Sequence, residues 1–210
     1  MFKSKFNKEK VFCIGYGKTG TTTIGKVLED FGYDLGDQPT AELLIYEYHK
    51  RNFKAISDYC LTANAFQDLP FAAPFLFIYL DQIFPNAKFI LTRRDNPEQW
   101  YSSLVRFHSK KWSDGVNPPS KEELLKAGYR NQTFAYDTKH IVFNSTDEDL
   151  YHKDTLISSY ESHNKAAKEY FRTKSNFIEI NVSNKGDYVR LCEFLNKTPK
   201  GDDFPWLNKT

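Results

Sequence analysis

Between an apolar run, Val11-Phe12-Cys13-Ile14, and an amphipathic stretch lies the segment Gly15-Tyr16-Gly17-Lys18-Thr19-Gly20-Thr21-Thr22-Thr23, which has the composition of an anion cradle. Its glycines let the backbone approach a bulky anion, and amides at the start of the following helix face that anion with the positive end of the helix dipole. Lys18 supplies a point charge, and the hydroxyls of Thr19, Thr21, Thr22 and Thr23 supply donors for phosphate or sulfate oxygens. The segment is not a Walker A loop, which ends in Gly-Lys-Ser/Thr, because Gly20 is followed by Thr21. A P-loop nucleotide kinase or NTPase, which would also need a magnesium carboxylate after a strand, is therefore the alternative rather than the leading reading. Gly15, Gly17 and Gly20 do satisfy the dinucleotide fingerprint. That fingerprint also requires a second apolar strand ending in an acid about 20 residues on, and Phe31-Gly32-Tyr33-Asp34-Leu35-Gly36-Asp37 is too broken by glycine to be one.

A second chemical segment begins with the apolar Phe89-Ile90-Leu91-Thr92, which runs into Arg93-Arg94 and then into a helix carrying Ser102 and Ser103. Arginine's planar fork suits phosphate. Taken alone, Arg94 could equally pair with Asp95 or Glu98. Asp68, in Gln67-Asp68-Leu69-Pro70, is a candidate base, although an Asp beside a proline commonly caps its own turn. His108 and His163 have suitable intrinsic pKa values for base chemistry, but lone helical histidines are more often structural. The Lys110-Lys111 pair reads as a solvated face. Cys13, Cys60 and Cys192 lack the short paired spacings of a zinc site and read as buried free thiols, with no metal site expected.

The elements that must position these groups alternate along the chain. A strand over 11–14 leads through the glycine-rich turn to a helix whose Ile24, Val27, Leu28 and Phe31 share one face, with Gly32 placed for a left-handed cap. Residues 41–48 and 53–59 have helical composition, and 64–68 is a short second strand with Asp68 at its end. A helix over 74–84 stops at Pro85, and a third strand covers 89–92. Asn96 caps the next helix, with Pro97 in the first helical position and Gln99 as capping-box partner. A polar helix over 155–171, a strand over 177–182 and a last helix over 187–195 complete the pattern. Such alternation implies a three-layer α/β fold with a central parallel sheet between helices. Residues 113–155, rich in Gly, Pro, Asn and Asp, read as an irregular or helical acceptor-side insertion within one domain over 1–210.

The 210 residues carry 29 Lys and Arg against 27 Asp and Glu, a net charge of +2, so any anion binding is local. No nucleic-acid or membrane partner is expected. The basic N-terminus lacks a signal peptide's apolar stretch, and no run approaches the ~18 apolar residues of a membrane span, so a cytoplasmic location is expected. An aromatic content of 16% points to ring-lined core or pocket surfaces.

Gly17-Lys18-Thr19-Gly20-Thr21-Thr22 resembles the 5′-phosphosulfate loop of sulfotransferases that use 3′-phosphoadenosine-5′-phosphosulfate (PAPS). The segment from Phe89 to Ser103 is similar to that family's 3′-phosphate motif. The resemblance is strongest to the shorter, mostly microbial members. It extends to Gln67-Asp68-Leu69-Pro70, to Tyr160-Glu161-Ser162-His163-Asn164, and to Leu191-Cys192-Glu193-Phe194-Leu195 leading to Phe204-Pro205-Trp206-Leu207-Asn208. It implies a P-loop-like sulfotransferase fold, PAPS as donor and PAP (adenosine 3′,5′-bisphosphate) as product, and a metal-independent transfer to a hydroxyl or amine of a small-molecule or carbohydrate acceptor. It further implies Lys18 and Asp68 as catalytic residues, Gly17 to Thr23 around the 5′ end, and Arg94 with a serine on the 3′-phosphate. The family's usual spacing from Arg94 gives Ser102, whereas counting from Pro97 gives Ser103. The Arg/Lys-Gly-rich C-terminal segment of the larger cytosolic members is missing. A non-catalytic nucleotide-binding module is the remaining alternative.

Overall fold

The inner strands of this chain are apolar because both of their faces are buried. In the computed structural model, which describes residues 9–205, β1 (Val11–Cys13) lies parallel to β2 (Ala65–Phe66) and to β3 (Lys88–Thr92). β3 pairs in parallel with β4 (Phe177–Ile180), so the order is β2-β1-β3-β4. Side chains alternate across a strand, which sorts the residues into two layers. Phe12, Phe66, Phe89 and Leu91 enter one core, whereas Val11, Cys13, Ala65, Ile90 and Ile180 enter the other.

The second core is closed by α1 (Thr21–Asp30), through Ile24, Val27 and Leu28, and by α10 (Asp187–Leu195), through Leu191 and Leu195. The first, larger core is closed by α2 (Gln38–Leu43), α3 (Ile45–His49), α4 (Phe53–Tyr59), α5 (Leu76–Ile83), α6 (Pro97–Trp112), α7 (Lys121–Leu125), α8 (Phe134–Phe143) and α9 (Lys153–Phe171). The arrangement is the expected α/β one, a parallel sheet flanked by helices. Much of the aromatic content is core: the Phe12 ring lies 5.3–5.8 Å from those of Phe66, Phe71, Phe84 and Phe89.

Local signals behave as their chemistry dictates. Gly32 ends α1 at φ 83°, with its N–H on Glu29 O and the Tyr33 N–H on Leu28 O. Asn96 Oδ1 accepts the Gln99 N–H at 2.8 Å, and Gln99 Oε1 reaches back to the Asp95 N–H, one residue before the cap. Cys13, Cys60 and Cys192 are free and buried, and burial pushes the Cys13 thiol up to about 12. Among the described residues no helix is long and apolar enough to cross a membrane.

Several expected boundaries shift. β2 ends at Phe66, so Asp68 is not on the strand but two residues beyond it, at φ 59°, in a turn where Oδ1 accepts the Leu69 N–H. β4 ends at Ile180 because the Asn181 N–H bonds the Asp187 carboxylate instead of a neighbouring strand. The helix expected over 41–48 is two helices, breaking at Leu44. Residues 113–155 are not irregular throughout. Ser120 and Glu123 form a reciprocal capping box that starts α7, and α8 buries Phe134, Ala135, Thr138, Lys139 and Val142 on one side. Two of those five residues are polar, which hid the helical period.

Candidate active site

The glycine-rich turn is held from below by its own carbonyls. The Thr19 hydroxyl, fully buried, donates to Tyr16 O at 2.6 Å and bonds the Thr92 hydroxyl at the end of β3. Trp100 Nε1 donates to Gly17 O at 3.1 Å, and Arg94 Nε donates to Lys18 O at 2.7 Å. Lys18 and Gly20 have φ of 73° and 104°, the left-handed geometry in which successive amides converge on an anion. At Gly20 a Cβ would also come within 2.6 Å of Val182 Cγ2, so conformation and space both require glycine.

Above the turn lies a cavity of about 140 Å³, lined by Lys18, Thr21, Thr22, Thr23, Arg94 and Ser103 among others. Arg94 is not an ion-pair partner of its acidic neighbours: Asp95 accepts from Asn181, and Glu98 pairs with Lys153 at 2.6 Å. Its backbone N–H is held at 3.0 Å by Tyr160 Oη, whose ring stacks on Trp100 at 4.5 Å. Among the described residues, neither Lys18 nor Arg94 has a carboxylate at salt-bridge distance. Burial lowers the pKa of both; at Lys18 the Asp68 carboxylate opposes the fall while Lys111 and Arg94 add to it, and at Arg94 Tyr160 and Asp95 oppose it while Arg106 adds to it. Two partly buried cations with no carboxylate in direct contact are a strong draw for an anion. Ser103 is buried and lines this cavity, whereas Ser102, about 100° around the helix, is exposed and does not.

A second cavity of about 320 Å³ adjoins the first, and Lys18, Thr22, Asp68 and Phe107 line both. The Lys18 ammonium sits 3.3 Å from the centroid of the Phe107 ring. Burial raises the Asp68 carboxyl to about 6, with the Glu42 charge adding to it, while the Leu69 N–H, Lys18 and the Thr21 hydroxyl pull it down. The turn-capping contact anticipated beside Pro70 is thus present, and the same carboxylate borders both cavities.

The two histidines part company. His163 lines neither of these cavities. Its Nε2–H donates to Ile14 O at 2.7 Å, its ring stacks on Tyr16, and burial lowers it to about 4. It is a brace for the turn. His108 lines the second cavity, with Nδ1 against Tyr151 Oη at 2.8 Å, and burial and the nearby Lys139, Lys18 and Lys111 hold it far below its usual range. Lys110 and Lys111 are both exposed, as expected, and the Lys111 ammonium in addition lies 3.5 Å over the Tyr129 ring and borders the second cavity.

Sequence reading missed Phe107, Val182 and Ser183 in the first cavity and the Glu42–Arg130 ion pair in the second. Val182 and Ser183 follow β4 at the edge where open parallel sheets hold ligands, a signal the sequence did carry. Glu42 and Arg130, 88 residues apart, left none. Of the C-terminal segment singled out by resemblance, Phe204 and Pro205 line the first cavity, and Trp206, Leu207 and Asn208 lie outside the described residues. The whole is an anion-attracting cavity joined to an aromatic one, with an ammonium and a carboxylate at the junction. Residues 10–210 match a family model described as a sulfotransferase domain. Comparison with curated proteins gives no match.

Proposed function

The chain belongs to the sulfotransferase domain family, and on that premise we propose that it transfers a sulfuryl group from PAPS to a hydroxyl of a small-molecule acceptor, by in-line displacement without a metal. The observation that carries this reading is the junction, where Lys18 and Asp68 border a cation-lined cavity on one side and a ring-lined cavity on the other. PAPS supplies an activated sulfuryl group. In the transfer, a bond forms between the acceptor oxygen and sulfur while the bond from sulfur to the 5′-phosphate oxygen breaks, and negative charge grows on that departing oxygen. Lys18 meets that charge, and Thr21, Thr22 and Thr23 with the amides from Gly17 to Thr23 hold the 5′ end. Removing an electrostatic donor of this kind costs roughly 10²–10³ in rate.

Asp68 takes the acceptor's proton. A carboxyl near 6 is mostly ionised at neutral pH, yet more basic than an exposed one. Arg94 and Ser103 take the 3′-phosphate. Arg94 Nε, bonded to Lys18 O, ties the two ends of the donor site together. Residues 113–155 form the acceptor side of the same domain, contributing Tyr129, Arg130, Phe134 and Thr138 to the second cavity. The free thiols favour a cytoplasmic setting, where cysteines stay reduced.

The test is calorimetric titration with PAP followed by turnover of radiolabelled PAPS across an acceptor panel, with magnesium absent. Heat on PAP addition and label transfer support the assignment. Folded protein that gives no heat with PAP, or transfer only when magnesium is restored, defeats it and favours a kinase-type P-loop enzyme.

A further inference from the structure

The second cavity selects its acceptor by shape and by charge. Tyr16, Leu104, Phe107, Phe134, Val142 and Phe143 give it apolar, ring-rich walls. Its volume of about 320 Å³ is at the lower end of ligand pockets, roughly 300–1,000 Å³, which is room for a compact body of one or two rings rather than a buried oligosaccharide.

The charges on its wall are unevenly committed. Glu42, 7% exposed, is bound by Arg130 Nε and by Gln38 Nε2 at 3.1 Å, and Arg130 also bonds Tyr129 Oη. That pair is bonded internally, although the Glu42 charge still favours the Lys111 ammonium from a distance while Arg130 opposes it. Lys18 and Asp68 stand at the junction with the donor cavity. Lys111 is different. Its ammonium lies among the rings of Tyr129, Phe107 and Trp112, at 3.5, 5.3 and 5.4 Å from their centroids. Among the described residues it has no carboxylate at salt-bridge distance. Rings hold a cation in place but neutralise it poorly, so the acceptor cavity keeps one positive charge that the transfer chemistry does not use. Lys139, 1% exposed and 3.6 Å over the Tyr151 ring, adds no negative charge to offset it.

Resting on the sulfotransferase reading above, we propose that the acceptor is a compact aromatic alcohol bearing a carboxylate or similar anion remote from the hydroxyl. Its ring stacks in the aromatic cavity, its hydroxyl meets Asp68, and its anion meets Lys111. A cationic acceptor is selected against, because among the described residues the only acids on this wall are the occupied Glu42 and the proposed base Asp68.

The experiment is calorimetry on protein first saturated with PAP, using 3-(4-hydroxyphenyl)propanoate, its neutral amide, tyramine and methyl glucoside. The propanoate binds about tenfold more tightly than its amide, between the effect of an exposed ion pair and that of a charge-assisted hydrogen bond. Tyramine is weaker again and methyl glucoside gives no heat. Lys111→Gln reduces the acid-to-amide difference to about threefold or less, leaving affinity for the amide as it was. Equal binding of acid and amide, preference for tyramine, an acid preference that survives Lys111→Gln, or no binding by any of the four to PAP-saturated protein would each overturn the inference while leaving the donor assignment standing. Failure of PAP itself to bind removes the donor assignment and the inference with it.

Discussion

Asp68→Asn is the sharpest perturbation, because it moves activity and stability in opposite directions. Asn is nearly isosteric, tolerates the left-handed region at least as well as Asp, and its oxygen can still accept the Leu69 N–H, so the turn at φ 59° survives. Loss of a general base costs about 10²–10⁴ in turnover. For the wild-type protein the expected profile is turnover that rises about tenfold per pH unit below 6 and levels off above it, following ionisation of a carboxyl near 6. The variant loses that inflection.

Stability follows from the same carboxyl. Its folded pKa, about 6, lies above the value near 3.9 expected in the unfolded chain, so the folded state holds the proton more tightly. Below about pH 3 both states are protonated and the residue is neutral in its effect. As pH rises through about 6 the folded protein must ionise a group that burial opposes, and stability is lost. Asn removes that penalty. The gain is on the order of 1–2 kcal/mol at pH 8, after allowance for solvent reaching a half-buried group, or roughly 3–6 °C in Tm for a chain of this size. It shrinks to a few tenths of a kcal/mol at pH 4. Melting curves at the two pH values, turnover from pH 5 to 8 and PAP titration together read every arm. Turnover within a few-fold of wild type, or a Tm at pH 8 that does not rise, refutes the placement of Asp68 as a desolvated base.

Lys18→Ala should lower turnover by about 10²–10³ with little change in Tm, since the side chain makes no ion pair and contacts chiefly the Phe107 ring; near-normal turnover removes it from the chemistry. Arg94→Ala should weaken PAP by roughly 10–100-fold, while a nucleotide without the 3′-phosphate loses only the share due to the bond to Lys18 O, about fivefold. Equal losses for the two nucleotides contradict the assignment. Ser103→Ala should weaken PAP by about three- to tenfold and Ser102→Ala should leave it unchanged, and titrations with the opposite result move the 3′-phosphate contact to the exposed serine.

Much of the scaffold was readable because its signals are local. A buried strand, a glycine-rich turn and an amphipathic helix follow one another within about two dozen residues at the N-terminus, so periodicity and glycine spacing report them directly. The same holds for the Asn96-Pro97 helix start and the Gly32 stop. Within 113–155 the individual helices were not located, for a physical reason: α8 places Thr138 and Lys139 on its buried side, where an apolar period was sought. The capping box at Ser120 and Glu123 was in view and would have located α7.

What the sequence by itself determined is the chemistry on offer: an anion-binding turn, an arginine and serines after a second strand, and a carboxylate before a proline. What only the tertiary structure decided is which of these meet. Arg94 reaches Lys18 O across 76 residues, and its acidic neighbours are drawn off to Asn181 and Lys153. Ser103 faces the cavity and Ser102 faces solvent because α6 is rotated by the seating of Trp100 against Tyr160 and Gly17 O. Periodicity measures neighbours along the chain, whereas a site is made by packing between segments remote in sequence. The ring-lined second cavity, assembled from the turn, α2, α6 and α8, is therefore a property of the folded chain alone.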